Sequence, residues 1–228
     1  MKAMEFLLDT ADLNKIDYYT DHLAISGVTT NPTILKKANV HDVFKRLRDI
    51  RSIIGKNKSL HAQAVGSTAE EIVKDAHRFI DEVDDQIYVK IPTNAEGLKA
   101  MKLLKSEGIH VTATAIYTEF QMYQAVLVGA DYIAPYYNRM LNQNIDAFKS
   151  IRNIAKAIRE NNCHTKILAA SFHNVQQVTE ALAAGSHAVT VGTDVLDTAF
   201  DNASVNAAIE QFAKDWNEYH PGQAVHDL

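Results

Sequence analysis

Cysteine is nearly absent: Cys163 is the only one in 228 residues. That excludes an intrachain disulfide, and a reducing compartment, the cytoplasm, is the simplest expectation. Proline occurs 4 times and glycine 9 times, and no linker or low-complexity stretch divides the chain. Long apolar runs are missing too. The N-terminal "MKAMEFLLDT" reaches Asp9 after a run too short for a signal segment or a membrane span, and no other stretch is long enough to span. Positive charge is not in excess. A formal net charge of −5, with no basic tract and no RNA-binding aromatic signature, argues against general nucleic-acid affinity. There is no G-x-G-x-x-G after the first strand and no P-loop. No His-x3-His, carboxylate–histidine cluster or cysteine pair occurs either, so the sequence calls for no metal. The 10 histidines are scattered and read as surface or structural residues.

What is present is an ordinary globular composition, 46% hydrophobic and 22% charged, in a chain long enough for a large core. Short apolar runs alternate with amphipathic stretches from end to end. Eight runs read as strands: 5–9, 25–30, 61–65, 87–91, 110–115, 132–136, 166–171 and 188–192. Between them, 72–83 and 174–184 carry apolar residues at helical spacing. The junctions "SEGIHVTATA", "LVGADYIAP" and "AAGSHAVTV" repeat a helix–glycine–strand order, glycine being the residue that caps a helix where the chain turns back. A helical crossover returns each strand parallel to the last. Eight such units favour an α/β fold, a closed (β/α)8 TIM barrel, as one domain over 1–228, ahead of an open doubly wound sheet. An additional C-terminal helix, about 203–217, places Val205, Ile209, Phe212 and Trp216 on one face. It is expected to pack on the barrel or on a neighbouring subunit.

In such a barrel chemistry sits at the C-terminal strand ends. The polar residues there are Asp9, Thr30, Asn31, Gln63, Lys90, Thr112, Thr114, Tyr136, Arg139, Ser171 and Thr190. Each has a plain structural reading. Asp9 could be a helix N-cap or turn residue before "TADLNKI", Asn31 could fix the turn before Pro32, and Ser171 could cap the helix near Asn174. Lys90 could pair with Asp9, Pro92 stops its strand, and Tyr136 could be a core aromatic with its hydroxyl at water. Jointly these readings weaken, because all the residues converge on one rim. A lysine in an apolar barrel loses solvation of its charged form, which frees amine near neutral pH. A free amine attacks carbonyls to form a Schiff base, whose iminium is an electron sink for breaking or making the adjacent carbon–carbon bond without a metal. Asp9, or a water held by Tyr136, Gln63 and Thr114, could shuttle the proton, and Arg139 with Ser171 could hold a phosphate.

"LDTAD" at 8–12, "GVTTNPTIL" at 27–35, "VKIPTNAEGLKA" at 89–100, "APYYNR" at 134–139 and "AASF" at 169–172 resemble the small transaldolase family, in order along nearly the whole chain. The resemblance implies a (β/α)8 barrel with the Schiff-base lysine at Lys90, the acid at Asp9, and contacts to substrate hydroxyls at Asn31 and the adjoining Thr30. Within that family, Gln63 and Tyr136 follow the fructose-6-phosphate aldolase pattern, with Tyr136, Gln63 and Thr114 holding the catalytic water and Arg139 and Ser171 on the phosphate. The implied substrates are a sugar phosphate and dihydroxyacetone, the implied cofactor is none, and the implied assembly is a homo-oligomer, pentamer or decamer. A transaldolase is the alternative activity, and a non-catalytic sugar-phosphate-binding barrel the alternative of another class. The chain departs from the family at "LNQNID" after "YYNRM", at His173, and at "TVGTDV" over 190–195, all near the presumed phosphate end.

Overall fold

The computed structural model describes residues 4–228. Eight parallel strands close into a barrel in sequence order. They are β1 Glu5–Asp9, β2 Gly27–Thr29, β3 Ser59–Gln63, β4 Tyr88–Pro92, β5 Val111–Ile116, β6 Tyr132–Pro135, β7 Lys166–Ala169 and β8 Ala188–Val191. The helices are α1 Leu13–His22, α2 Pro32–Lys37, α3 Val43–Ile54, α4 Ala69–Glu82, α5 Ala95–Ser106, α6 Glu119–Leu127, α7 Tyr137–Asn142, α8 Ala147–Glu160, α9 Val175–Ala183, α10 Thr193–Phe200 and α11 Ala203–Tyr219. The expected (β/α)8 barrel with an additional C-terminal helix is therefore present. Gly108, Gly129 and Gly185, ahead of β5, β6 and β8, have φ of 79°, 80° and 104°, the left-handed conformation that a helix-to-strand reversal needs.

Several boundaries differ from the sequence reading, each for a local reason. β3 begins at Ser59, whose amide bonds to the Ser26 carbonyl, and ends at Gln63. The Ala64 amide still bonds to the Lys90 carbonyl, and the Asp75 carboxylate then takes the amides of Val65 and Gly66, at 2.8 and 2.9 Å, in place of a sheet partner. β4 runs through Pro92 instead of stopping before it. The Thr93 amide makes the next bond, to the Thr114 carbonyl, so the missing proline N–H is not needed. α4 starts three residues before the expected 72, because Thr68 and Glu71 form a capping box. β2 and β7 are shorter than read: the chain leaves the sheet after Thr29 and Ala169 to enter the loops of the barrel mouth.

Strand alternation separates two cores. Ile87, Val89 and Ile91 are fully buried in the large core cluster, which extends to helix residues such as Met101 and Leu104. Leu7, Tyr132, Leu168 and Ala188, with Tyr88, form a second, smaller cluster. These are the alternate residues of the same strands, which line the barrel interior. Two residues further along, the same inward rows reach Asp9, Lys90, Ala134, Ala170 and Thr190. α11 is the exception to this packing. None of its residues is buried, and Val205, Ile209 and Phe212 are 51%, 59% and 70% exposed. Of the two expected packings, on the barrel or on a neighbouring subunit, the first buries no residue of α11, and its apolar face is left open.

Candidate active site

Lys90 sits in the mouth end of the barrel, 4% exposed, with Gln63 on β3 and Thr112 on β5 as its register partners. Among the described residues no hydrogen bond or ion pair closes on its amine. Burial therefore pushes the Lys90 pKa below that of an ordinary lysine, opposed by the charge of Asp9. The expected structural ion pair between the two does not form. Asp9 feels burial most strongly, which raises its pKa; the charge of Lys90, a hydrogen bond from Thr29 and the charge of Lys37 pull the other way. The same low-polarity interior thus favours a free amine and a protonated acid side by side.

The plain readings divide. Asp9 is not a helix cap: Asp12 takes that role for α1, accepting from the Asn14 and Lys15 amides. Ser171 is not a cap either, since Asn174 caps α9 through the Gln177 amide at 3.0 Å. Ser171 instead has φ of 63°, a left-handed conformation that costs a non-glycine about 1–3 kcal/mol and that clusters at functional sites. Asn31 does cap α2, its Oδ1 accepting from the Ile34 amide at 3.0 Å, and its Nδ2 is left without a partner among the described residues. Tyr136 is more than a core aromatic. Its hydroxyl lies 3.0 Å from Thr114 Oγ1, and burial raises its pKa, so the phenol keeps its proton.

The expected pairs are partly brought together. Thr114 and Tyr136 meet, whereas Gln63 bonds to neither and reaches them only across Lys90. The Arg139 guanidinium lies 4.9 Å from the Tyr136 ring centroid and donates to the Tyr117 hydroxyl at 3.1 Å. The Asn138 amide bonds to the Ser171 carbonyl, which sets the start of α7 against Ser171. Thr30 is not brought to the others. It is fully buried and its hydroxyl donates to the His61 carbonyl, so it does not face the mouth. Its neighbour Thr29 does, with Oγ1 at 2.5 Å from Asp9 Oδ1. Strand alternation from Asp9 and Gly27 was the signal that could have chosen Thr29 over Thr30. His61 was also missed. It is fully buried one step below Gln63, with both ring nitrogens on hydroxyls, of Thr112 at 2.8 Å and Ser59 at 3.0 Å. Burial, reinforced by the Lys90 charge, holds it well below the usual histidine range and so neutral.

A cavity of about 510 Å³ opens at this end of the barrel, lined by Asp9, Lys37, Ser171, His173, Thr190 and Asp194 among others. A second, largely apolar cavity of about 520 Å³ lies between α2, α3 and α4 and touches Gln63 but not Lys90, Asp9 or Tyr136. Of these three, Asp9 lines the first cavity, and Lys90 and Tyr136 line neither. No group of three or more His, Cys, Asp or Glu side chains in a metal-binding arrangement occurs among the described residues, and no helix there is long and apolar enough to cross a membrane.

Comparison with known proteins agrees with this geometry. A protein of Streptococcus pneumoniae (strain ATCC 700669 / Spain 23F-1) named "Probable fructose-6-phosphate aldolase" is 49% identical over 213 residues, 93% of this chain and 96% of that protein. Solved structures match the fold at low identity. A chain of a designed cube-shaped, highly porous protein cage gives a TM-score of 0.61 at 10% identity, with 85% of this chain and 64% of that one covered. A structure described as native KDPGal gives 0.59 at 11%, with 85% and 84% covered. At such identities they speak for the barrel alone. The family model described as transaldolase/fructose-6-phosphate aldolase matches residues 6–221. With nearly the whole chain matched and the barrel mouth built from the residues described above, the protein belongs to the transaldolase/fructose-6-phosphate aldolase family.

Proposed function

We propose that this protein is a class I aldolase that cleaves fructose 6-phosphate to dihydroxyacetone and glyceraldehyde 3-phosphate, and forms it in reverse, through a Schiff base on Lys90. The observation that carries the reading is the burial of Lys90 without a hydrogen-bond partner, which lowers its pKa and makes free amine available. The name of the 49% identical relative supports the same substrate.

The neutral Lys90 amine adds to the ketone carbon, and protonated Asp9 gives its proton to the departing hydroxyl, so that water leaves and the iminium faces an Asp9 carboxylate. Asp9 takes the proton of the hydroxyl on the far carbon of the bond to be broken. The electrons of that bond pass to the iminium, leaving an enamine, and the aldehyde phosphate departs. Protonation of the enamine carbon restores an iminium, which water hydrolyses to free dihydroxyacetone and the amine. The Tyr136–Thr114 hydroxyl pair, with Gln63 on the other side of Lys90, is suited to holding that water. Tyr136 keeps its proton, so it serves as a donor and positioner and not as a base. Asn31 Nδ2 is free for a substrate hydroxyl, and Arg139 and Ser171 for the phosphate. No step calls for a metal or an organic cofactor. A cytoplasmic homo-oligomer, pentamer or decamer, accords with the single cysteine and the open apolar face of α11.

Borohydride reduction in the presence of dihydroxyacetone tests the reading: the reduced adduct should map to Lys90. A protein that gains no covalent mass is a non-catalytic binding barrel. Fructose 6-phosphate turnover measured with and without erythrose 4-phosphate then separates an aldolase from a transaldolase, which would need the acceptor. The Tyr136 hydroxyl favours the aldolase, because it offers water a hydrogen bond beside the iminium.

A further inference from the structure

We propose that Thr29 and Thr190 are positioning residues for Asp9, joined in a two-hydroxyl chain whose direction reverses as Asp9 gains or loses its proton. Thr190 would then show the substrate an acceptor in one state and a donor in the other. This rests on the role given to Asp9 above.

The chain is built by the barrel. β1 lies between β2 and β8, with Asp9 paired to Thr29 and Leu7 to Thr190. Thr29 is fully buried and Thr190 2% exposed. Thr29 Oγ1 lies 2.5 Å from Asp9 Oδ1 and 2.6 Å from Thr190 Oγ1. Each hydroxyl has one proton to give. When Asp9 is ionised it can only accept, so the Thr29 proton goes to Asp9 and the Thr190 proton to Thr29. Thr190 then turns only lone pairs toward the mouth cavity that it lines. When Asp9 carries its proton on Oδ1, the oxygen that faces Thr29, the order runs from Asp9 to Thr29 to Thr190, and the Thr190 proton is released toward the mouth. The reversal is a rotation of the hydroxyls and of the carboxyl group; no covalent bond within the chain breaks. It suits the substrate oxygen, which gives its single proton to Asp9 and can then accept from Thr190.

Other groups also act on Asp9: Lys90 from β4, Lys37 from α2, Asp194 from α10, and Tyr136, whose phenol senses the Asp9 charge. Lys15, also at the mouth, is tied to Asp197. The hydroxyl chain is separable from all of these by substitutions that leave charge unchanged.

The test uses Thr29→Val, Thr190→Val, the double Val variant, and the two Ser variants. Each Val should lower kcat for fructose 6-phosphate cleavage by about ten- to a hundredfold, the scale of a lost hydrogen bond to a charged group. The limb of the pH profile that belongs to Asp9 should move to higher pH, since a carboxylate that loses a donor holds its proton more tightly. The Ser variants should restore both. Because the chain acts as a unit, adding Thr190→Val to Thr29→Val should cost little more. Additive losses, or a limb that stays in place, would overturn the proposal. A titration of the Asp9 carboxyl by carbon NMR, in the parent and in Thr190→Val, reads the same shift without turnover. An unmoved Asp9 there refutes the chain even if fructose 6-phosphate is not the substrate, whereas failure of the parent to trap dihydroxyacetone refutes only the Schiff-base reading. Thr190→Ala serves for the titration should a Val variant not fold.

Discussion

Tyr136→Phe separates the stability of the site from its chemistry. The substitution removes one oxygen and leaves the ring. The Arg139 contact at 4.9 Å and the edge contact with Tyr117 at 5.6 Å persist. What is lost is the 3.0 Å bond to Thr114, a net of about 0.5–1.5 kcal/mol. In a chain of this size that lowers Tm by about 1–6 °C. The chemical effect should be larger. Water that attacks the iminium loses a donor at its side, and release of free dihydroxyacetone should slow by about ten- to a thousandfold, or about 1.4–4 kcal/mol of barrier. Schiff-base formation uses Lys90 and should survive, so borohydride trapping becomes easier. Transfer to added erythrose 4-phosphate should fall less than hydrolysis. The assay is the ratio of transfer to dihydroxyacetone release in variant and parent. Gln63→Glu, which sets a carboxylate beside Lys90, should raise that ratio as well. If both rates fall together in Tyr136→Phe and the ratio stays flat, the hydroxyl serves the carbon–carbon step itself and the argument from water is wrong.

Four further outcomes are expected. Lys90→Met should abolish turnover and the reducible adduct while stabilising the fold by about 1–3 kcal/mol, since it removes a buried amine without a hydrogen-bond partner; an adduct found instead at Lys99 or Lys102, or a lower Tm, contradicts this. The Lys90 pKa is depressed by folding, so its neutral form is favoured in the native state and its contribution to stability is lost as pH falls through the native value; the stability gained by Lys90→Met, followed by denaturant unfolding, should therefore grow toward acid pH. Exhaustive chelation should leave the rate unchanged, because the iminium supplies the electrophile; activity lost to chelator and restored by zinc sinks the class I mechanism. Removal of residues 203–228 should reduce the mass in sedimentation to that of a smaller assembly, because Ile209 and Phe212 are 59% and 70% exposed on one face of α11.

The barrel, and the buried lysine proposed as its nucleophile, were legible without coordinates. Apolar runs at a period of two, glycines at the helix ends and the order of the units dictate eight parallel strands, and a lysine among Val89 and Ile91 announces itself against that pattern. The strand boundaries were less so, because they are set by remote partners: the Asp75 carboxylate ends β3, and the Thr93 amide carries β4 past Pro92. The alternative readings of Asp9 and Ser171 as caps could not be dismissed from the sequence, because the choice is local. Asp9 and Asp12, or Ser171 and Asn174, are equally good candidates in sequence, and the one that caps is the one whose backbone stands in the extended conformation just before the first turn.

Patterning along the chain is therefore enough for the kind of fold and for two polar residues set against it, an α/β barrel with a buried lysine and an acid at its mouth. Tertiary structure alone decided which neighbours those two groups have. Thr29 and Thr190 are 161 residues apart, yet their hydroxyls meet at 2.6 Å because β1 lies between β2 and β8 when the barrel closes. Thr30, one residue from Thr29, is turned away by the alternation of the strand. His61 lies against Thr112 only because β3 and β5 flank β4 on a curved wall. Periodicity fixes which residues share a face, but only closure of the sheet fixes which faces meet, and proton affinities depend on the second.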